Sequence, residues 1–428
     1  MQSLKIEGGA PIGGEVVISG NKNAALPMIA AALLTEEEVV LHNMPDILDV
    51  RAMLSVAELL GADVSFERNT ARIRSGRLRG NEVPRSWCSK MRTSILFAAP
   101  LTVRTGGATL YPPGGDIIGR RRLDGHFYGL ESLGVTIECD DAYCFQAAKR
   151  LRGRELFLDE ASVTATEQIL MAAVLADGVT VLRNAASEPH VTDLAELLNT
   201  MGAKISGLGS NTLTIEGVES LHGVEYTVGG DHIEAGSFLA MGAACGGELT
   251  IRGTTPRHYW MMRRVFERLG IQLKLLPDAI FLPGGQEPGI KQDFGGHIPV
   301  IADGPWPQFP SDMMSCAIVA ATQSRGTVMF FEKMFESRIY FVDRLISMGA
   351  NAIVCDPHRA VITGPVNLRG TVLSSPDIRA GMALLIAAMC ASGQSVINSS
   401  EIIFRGYENI VEKIQRVGGK VTSAPGGY

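Results

Sequence analysis

The sequence predicts an α/β protein of two domains, each built from three repeated βαβαβ-type units with buried inner helices. Three observations carry this reading. The chain has 428 residues, long for one compact domain. A helix-end motif recurs six times along it. Each copy also contains an earlier helix that is apolar on nearly every face, followed by a β-rich stretch.

The motif is an apolar residue and a glycine closing a helical pattern, then a short strand-like segment. It reads Leu60-Gly61-Ala62, Leu133-Gly134-Val135, Met201-Gly202-Ala203, Leu269-Gly270-Ile271, Met348-Gly349-Ala350 and Val417-Gly418-Gly419. The glycines stand 68 to 79 residues apart. Glycine after the last helical turn takes the left-handed cap conformation and frees the chain to enter a strand. The apolar helices begin near Ala24, Thr93, Thr166, Ala235, Asp312 and Arg379, and each runs into a stretch such as Gly178-Val179-Thr180-Val181-Leu182. Six units give three per domain, with the division near Gly229-Gly230-Asp231. The first domain is then 22–229, carrying a mobile loop, Pro112–Arg121, and the second is 1–21 with 230–428. One opening strand, Leu4 to Ile18, precedes the first helix and fits either half.

Composition narrows the function. Hydrophobic residues are 46% and charged ones 20%, enough for a sizeable core. The net charge of −6 argues against a non-specific nucleic-acid binder, which needs a broad basic surface. The longest apolar runs, Ala24–Leu34 and Met382–Ala391, fall short of the ~18 residues of a membrane span, and no apolar leader segment follows Met1. Seven scattered cysteines suggest reduced thiols, mostly small core residues, in a cytoplasmic protein, and their spacing holds no metal-site pattern.

Overlaying the units shows polar residues where the buried helices begin. Helix N-termini present free N–H groups and partial positive charge, so they favour anions. Asn21, Ser162, Thr164, Asp231, Ser311 and Asp377 also have a plainer role there as N-caps. Lys22, Arg92 and Arg379 do not, because a cation at an N-terminus opposes the helix dipole. Their placement asks for an anion. The entries to the outer helices add Asp116, Arg121, Arg338 and Arg405. Six cations, Lys22, Arg92, Arg121, Arg338, Arg379 and Arg405, with Asp116, Asp312 and Asp377 among them, suit a ligand carrying both carboxylate and phosphate. A solvated basic face is the competing account.

These residues resemble the enolpyruvyl transferase family, from Val16-Val17-Ile18-Ser19-Gly20-Asn21-Lys22-Asn23-Ala24-Ala25-Leu26-Pro27 to Arg405-Gly406-Tyr407-Glu408. Asn184-Ala185-Ala186, Glu188-Pro189, Phe309-Pro310-Ser311-Asp312 and Asp377 with Arg379 fall between, so the resemblance spans essentially the whole chain. It implies the inside-out α/β fold of that family. It also implies transfer of the enolpyruvyl group of phosphoenolpyruvate to the sugar 3-hydroxyl of a nucleotide sugar, UDP-N-acetylglucosamine, at the start of peptidoglycan synthesis. No cofactor or metal is implied. Lys22, Arg121 and Arg405 would hold phosphoenolpyruvate, with Arg92, Arg338, Asp377 and Arg379 around the same anion. Asp312 would be the general base, and Asn23 would help hold the sugar. Ser162, Val163 and Thr164 would face the diphosphate, and Arg92, Arg121, Arg122 and Asp124 the nucleotide.

Three positions depart from the family pattern. Asp116 stands where a cysteine is common; it still serves as a proton donor if its pKa is raised, but cannot form the thioether that fosfomycin makes with that thiol. Arg122 and Gly125 replace a proline and a leucine beside the base, and Glu160 replaces a lysine near the diphosphate. These changes leave open a different nucleotide or a shikimate-type acceptor. A non-catalytic nucleotide-binding protein with a decayed site is the remaining alternative.

Overall fold

A computed structural model of the protein describes residues 2–116 and 118–425, with only the backbone of Pro425. Ile117, within the expected loop, lies outside the described residues. The chain divides into two compact units, one of 20–116 and 121–229, the other of 2–19, 118–120 and 230–425. Residues 118–120, expected in the first domain with the rest of their loop, belong to the second unit. There the Arg120 N–H donates to Glu336 Oε1 at 3.0 Å, and the Ser337 N–H to the Ile118 carbonyl at 3.3 Å.

Each unit holds three sheets, five of the six being four-stranded. The third repeat shows the plan. Glu155–Phe157 runs parallel to Val179–Arg183, which pairs antiparallel with Thr212–Glu216, itself paired with Lys204–Ser206. The helix Val163–Ala173 links the parallel pair, and the helix Pro189–Thr200 leads to the hairpin. Repeats one and four borrow their leading strands: Val224–Thr227 runs parallel to Glu38–His42, and Gly13–Val17 to Glu248–Arg252. In the second repeat the leading strand shrinks to one bridge, Glu82 with Thr109, because Pro84 follows and has no N–H for a ladder.

The single opening strand becomes two, Gln2–Glu7 and Gly13–Val17, both in the 230–425 unit. Gly8-Gly9-Ala10-Pro11 breaks the run, the Gly9 N–H turning away to the Met389 carbonyl at 2.9 Å. Gln2–Glu7 then fills the last sheet between Gln394–Asn398 and Lys420–Pro425.

All six motif glycines have positive φ, between +85° and +106°. Five inner helices are regular and buried: Lys22–Ala31, Val163–Ala173, His232–Ala244, Ser311–Thr322 and Ile378–Cys390. The second, expected from Thr93, opens instead as a 3-10 turn, Arg92–Phe97, and becomes α-helical over Ala98–Thr105. Pro100 alone does not set this difference, because Pro27 stands inside the regular helix Lys22–Ala31. Burying each Leu, Ile or Met of these helices stabilises by about 1.5–3 kcal/mol. Among the outer helices, Trp260–Arg268 buries Met262 and Phe266 and exposes Trp260. All seven cysteines are free, but only Cys88 and Cys316 are fully buried; Cys139 and Cys355 are exposed on edge positions. No helix among the described residues is long and apolar enough to cross a membrane.

Candidate active site

In the 20–229 unit, the first inner helix begins with Asn21 as its cap, accepting the N–H groups of Asn23 and Ala24 at 2.8 and 3.3 Å. Lys22 is buried beside it, its Nζ 2.8 Å from Asp49 Oδ2. Asp49 lies in the first turn of the outer helix Leu48–Leu59. The misplaced charge of Lys22 is thus met from within the protein. Asp49 was missed in the sequence, although an acid at an outer-helix entry is the same kind of junction residue that singled out Asp116. Asn23 sits half-buried one residue further along.

Arg92 opens the second inner helix and donates from Nη2 to the carbonyls of Arg121 and Arg122 at 2.7 and 2.9 Å. Burial, with help from the Arg121 charge, pushes the Arg92 guanidinium down to about 10. Arg92 and Arg121 line a groove of about 350 Å³ with Pro112, Pro113, Leu123, Asp124, Phe127 and Tyr143. The loop above is pressed against the chain at Gly114, where a Cβ would overlap the Ser89 carbonyl, and its N–H bonds the Cys88 carbonyl at 2.9 Å. Asp116, two residues on, is half-buried. Arg122 is exposed and bonds Asp124 through Nε and Nη2, at 2.9 and 3.2 Å. That hydrogen-bonded carboxylate raises its pKa further, with Glu160 and Asp159 contributing.

Ser162 caps the third inner helix, accepting the Ala165 N–H at 3.4 Å, and Val163 and Thr164 form its first turn. Thr164 Oγ1 contacts His126 Nε2 at 2.9 Å, while His126 Nδ1 meets Gln168 Oε1 at 2.5 Å. Burial pushes His126 down to about 4, so it is a neutral fixture of this helix end.

In the 230–425 unit, three predicted residues meet directly. Asp312, in the first turn of Ser311–Thr322, accepts Arg338 Nη1 on Oδ1 at 2.8 Å and Arg379 Nε and Nη2 on Oδ2 at 2.9 Å. Phe335 stacks on Arg338 at 5.1 Å and Tyr407 on Arg379 at 5.4 Å. Burial alone would raise Asp312, but Arg379 and Arg338 outweigh it and hold the carboxyl well below the ordinary carboxylate range. In this arrangement Asp312 is a weak base. Arg338 Nε and Arg379 Nη1 are buried without a hydrogen-bond partner, so the cluster retains donors for an anion. Asp377 is committed to capping, accepting the N–H groups of Arg379 and Ala380 at 2.9 Å. Arg405 ends the 3-10 turn Ser400–Arg405, half-buried and two residues before Tyr407. His232, His258 and Trp306 form a ring cluster with centroids 5.7 to 6.4 Å apart. Burial pushes His232 down to about 3.

The side-chain caps revise one expectation. Asn21, Asp231 and Asp377 each occupy two first-turn N–H groups and Ser162 only that of Ala165, so a ligand at those ends has fewer backbone donors, the Val163 and Thr164 N–H groups staying uncapped. The inner helices starting at Arg92 and Ser311 have no such cap. Among the described residues, no cluster of acids, histidines and cysteines is arranged to hold a metal.

Residues 6–414 match the EPSP synthase (3-phosphoshikimate 1-carboxyvinyltransferase) family. The chain belongs to this family of enolpyruvyl transferases. It is 52% identical over 421 residues to UDP-N-acetylglucosamine 1-carboxyvinyltransferase of Borreliella burgdorferi, covering 98% of this chain and 99% of the relative. The protein of the same name from Bacteroides thetaiotaomicron is 46% identical over 433 residues, covering 99% and 100%. Among solved structures, the enolpyruvyl transferase NikO from Streptomyces tendae superposes over 100% of both chains with a TM-score of 0.88 at 23% identity. EPSP synthase from Acinetobacter baumannii superposes over 99% and 100% at 0.74 and 16% identity. At those identities the superpositions establish the enolpyruvyl transferase fold. The chain is therefore an enzyme of this family, with the α/β fold that the resemblance implied.

Proposed function

We propose that the chain transfers the enolpyruvyl group of phosphoenolpyruvate to the sugar 3-hydroxyl of UDP-N-acetylglucosamine, releasing phosphate, in the cytoplasm, as the first step of peptidoglycan precursor synthesis. The observation that carries this reading is 52% identity across nearly the full length to a protein of that name, against 16% to an EPSP synthase.

The hydroxyl oxygen adds to C2 of phosphoenolpyruvate while C3 takes a proton, giving a tetrahedral ketal. Loss of phosphate and of a C3 proton then restores the double bond. Asp116 supplies the C3 proton. Lys22, Arg92, Arg121 and Arg405, with Arg338 and Arg379, hold the carboxylate and the departing phosphate. Asn23 and Asp312 address the sugar, and Ser162, Val163 and Thr164 the diphosphate. Arg122 and Asp124 face the base, where a flat guanidinium offers a stacking surface in place of an apolar one. Asp312 needs its arginines drawn away before it can accept a proton. An anionic substrate does this by competing for Arg338 and Arg379, so binding itself raises the basicity of Asp312.

The test is phosphate release from phosphoenolpyruvate against a panel of acceptors. UDP-N-acetylglucosamine should stimulate release far more than shikimate 3-phosphate or other nucleotide sugars. Preference for shikimate 3-phosphate, or no stimulation by any acceptor, would overturn the assignment.

A further inference from the structure

The parallel strands Val300–Ala302 and Gly326–Phe331 are in register, Ala302 opposite Phe331. The next residue on each strand is an acid, Asp303 and Glu332, so the sheet delivers two carboxyl groups side by side. Both residues are wholly buried. Glu332 Oε1 and Oε2 lie 2.8 and 2.9 Å from the hydroxyl of Ser311, and Oε1 also accepts the Phe335 N–H at 3.1 Å. Asp303 Oδ1 accepts the Lys333 N–H at 2.5 Å. Asp303 Oδ2 is buried and finds no donor unless the facing carboxyl carries a proton.

The surrounding charges do not neutralise the pair. Arg338 is the cation near Glu332, and its Nη1 is bonded to Asp312. Lys333 directs its ammonium over the Phe331 ring. His358 bonds the Glu332 main-chain carbonyl through Nδ1, not the carboxyl. Two adjacent buried carboxyls with so little compensation cannot both ionise; one proton stays between them.

We propose that Glu332 and Asp303 share one proton and act together as positioning residues for Asp312 and Arg338. The inference rests on the reaction proposed above. Ser311 immediately precedes Asp312, and Phe335 stacks on Arg338, so the Glu332 carboxyl holds both members of that ion pair through one neighbour each. Loss of the shared proton sets two buried carboxylates against each other and loosens the start of the helix that carries Asp312. Burial, then the contact with Asp303, pushes Glu332 up to about 9, which places the transition on the alkaline side.

The test compares Glu332→Gln and Glu332→Ala with the wild type, each as the full chain. The amide of Glu332→Gln still accepts from Ser311 and donates to Asp303, but holds no titrating proton. Near neutral pH it should turn over close to the wild-type rate, whereas Glu332→Ala should lose about 100-fold in kcat through misplacement of Asp312 and Arg338. The wild-type kcat should fall as pH rises through about 9, and Glu332→Gln should lack that fall. Stability without substrate gives an independent readout. A carboxyl whose folded pKa is raised favours the fold most below its unfolded pKa and loses that contribution as pH rises to the folded value. The midpoint difference between wild type and Glu332→Gln should therefore drift in favour of the variant from about pH 5 to about pH 9. Parallel stability profiles, an unchanged alkaline limb in Glu332→Gln, or a folded Glu332→Ala with wild-type kcat would each overturn the proposal. An inactive wild type would sink the proposed reaction instead, and the substrate-free stability profiles would still decide the pair.

Discussion

Replacing Asp312 with asparagine removes the carboxylate set between two buried guanidinium groups. The side chains of Arg338 and Arg379 are 5% and 6% exposed, while that of Asp312 is 27% exposed. Removing one partner of a buried ion pair costs about 3–5 kcal/mol, because the other charge stays desolvated and unmatched. The partial exposure of Asp312 argues for the lower end, about 3 kcal/mol. For a unit of about 200 residues, that loss lowers the melting midpoint by about 6–12 °C. The two arginines then become a vacant anion site. Inorganic phosphate at about 100 times its dissociation constant restores roughly 2.7 kcal/mol, close to the whole deficit. Calorimetry of wild type and Asp312→Asn across a phosphate titration reads both effects. The variant should melt earlier and gain more from phosphate than the wild type, in which Asp312 competes for the same donors. Its turnover should fall about 10²–10⁴-fold, the usual contribution of a positioned general base. Because the arginines depress the Asp312 pKa, its stabilisation is complete above about pH 4 and fades as pH falls further. The variant's deficit should shrink correspondingly in acid. A variant that melts with the wild type and responds equally to phosphate would refute the account of this cluster.

Asp49→Ala removes the carboxylate beside the buried ammonium of Lys22 and should cost about 3 kcal/mol in thermal unfolding, whereas Asp49→Ala with Lys22→Met should recover most of that loss while remaining inactive. Equal stability of wild type and Asp49→Ala would show that Lys22 is not held by that pair. Asp116→Asn should lose most turnover while still binding UDP-N-acetylglucosamine by calorimetry; near-normal turnover would reduce Asp116 to a loop-capping residue. Asp116→Cys should stay partly active and become progressively inactivated by fosfomycin, whereas the wild type, with a carboxylate at that position, should keep its activity.

The architecture was legible because it rests on local chemistry repeated six times. Gly61, Gly134, Gly202, Gly270, Gly349 and Gly418 each mark a left-handed helix end, and that requirement is visible in any single copy. The 3-10 opening of the second inner helix, Arg92–Phe97, leaves no mark in the apolar pattern of its sequence. The split of the opening strand depends on Gly8 and Gly9, whose partners lie near residue 390, far along the chain. In the site, residue types could be read but pairings could not. Asp312, Arg338 and Arg379 were all identified, yet the low basicity of Asp312 follows only from having both arginines on one carboxylate. The Lys22–Asp49 and Glu332–Asp303 pairings were invisible for the same reason: a helix–helix contact creates the first and strand register the second.

The distribution of caps bears on how the anion is held. A ligand at a helix N-terminus ordinarily uses the free N–H groups and the dipole together. Here three of the six inner helices have two of those groups capped internally, by Asn21, Asp231 and Asp377, and a fourth has one, by Ser162. At two of those ends a cation sits one or two residues after the cap, Lys22 and Arg379. Each cap carries a side-chain oxygen that screens the adjacent dipole, so the unfavourable field on the neighbouring cation is weakened. The cation then acts through its side chain, with a donor geometry that does not depend on the helix backbone. Asp377 shows the arrangement most fully: it caps the helix while Arg379 reaches Asp312 with Nε and Nη2 and keeps Nη1 unbonded. Of the two inner helices without a side-chain cap, one begins at Arg92 and the other at Ser311, beside Asp312. Backbone recognition of an anion is thereby favoured at these two ends and at the first turn beside Ser162, and recognition elsewhere falls to guanidinium and ammonium groups. Guanidinium groups fork onto carboxylate and phosphate alike, which suits a substrate that presents both and must release one of them.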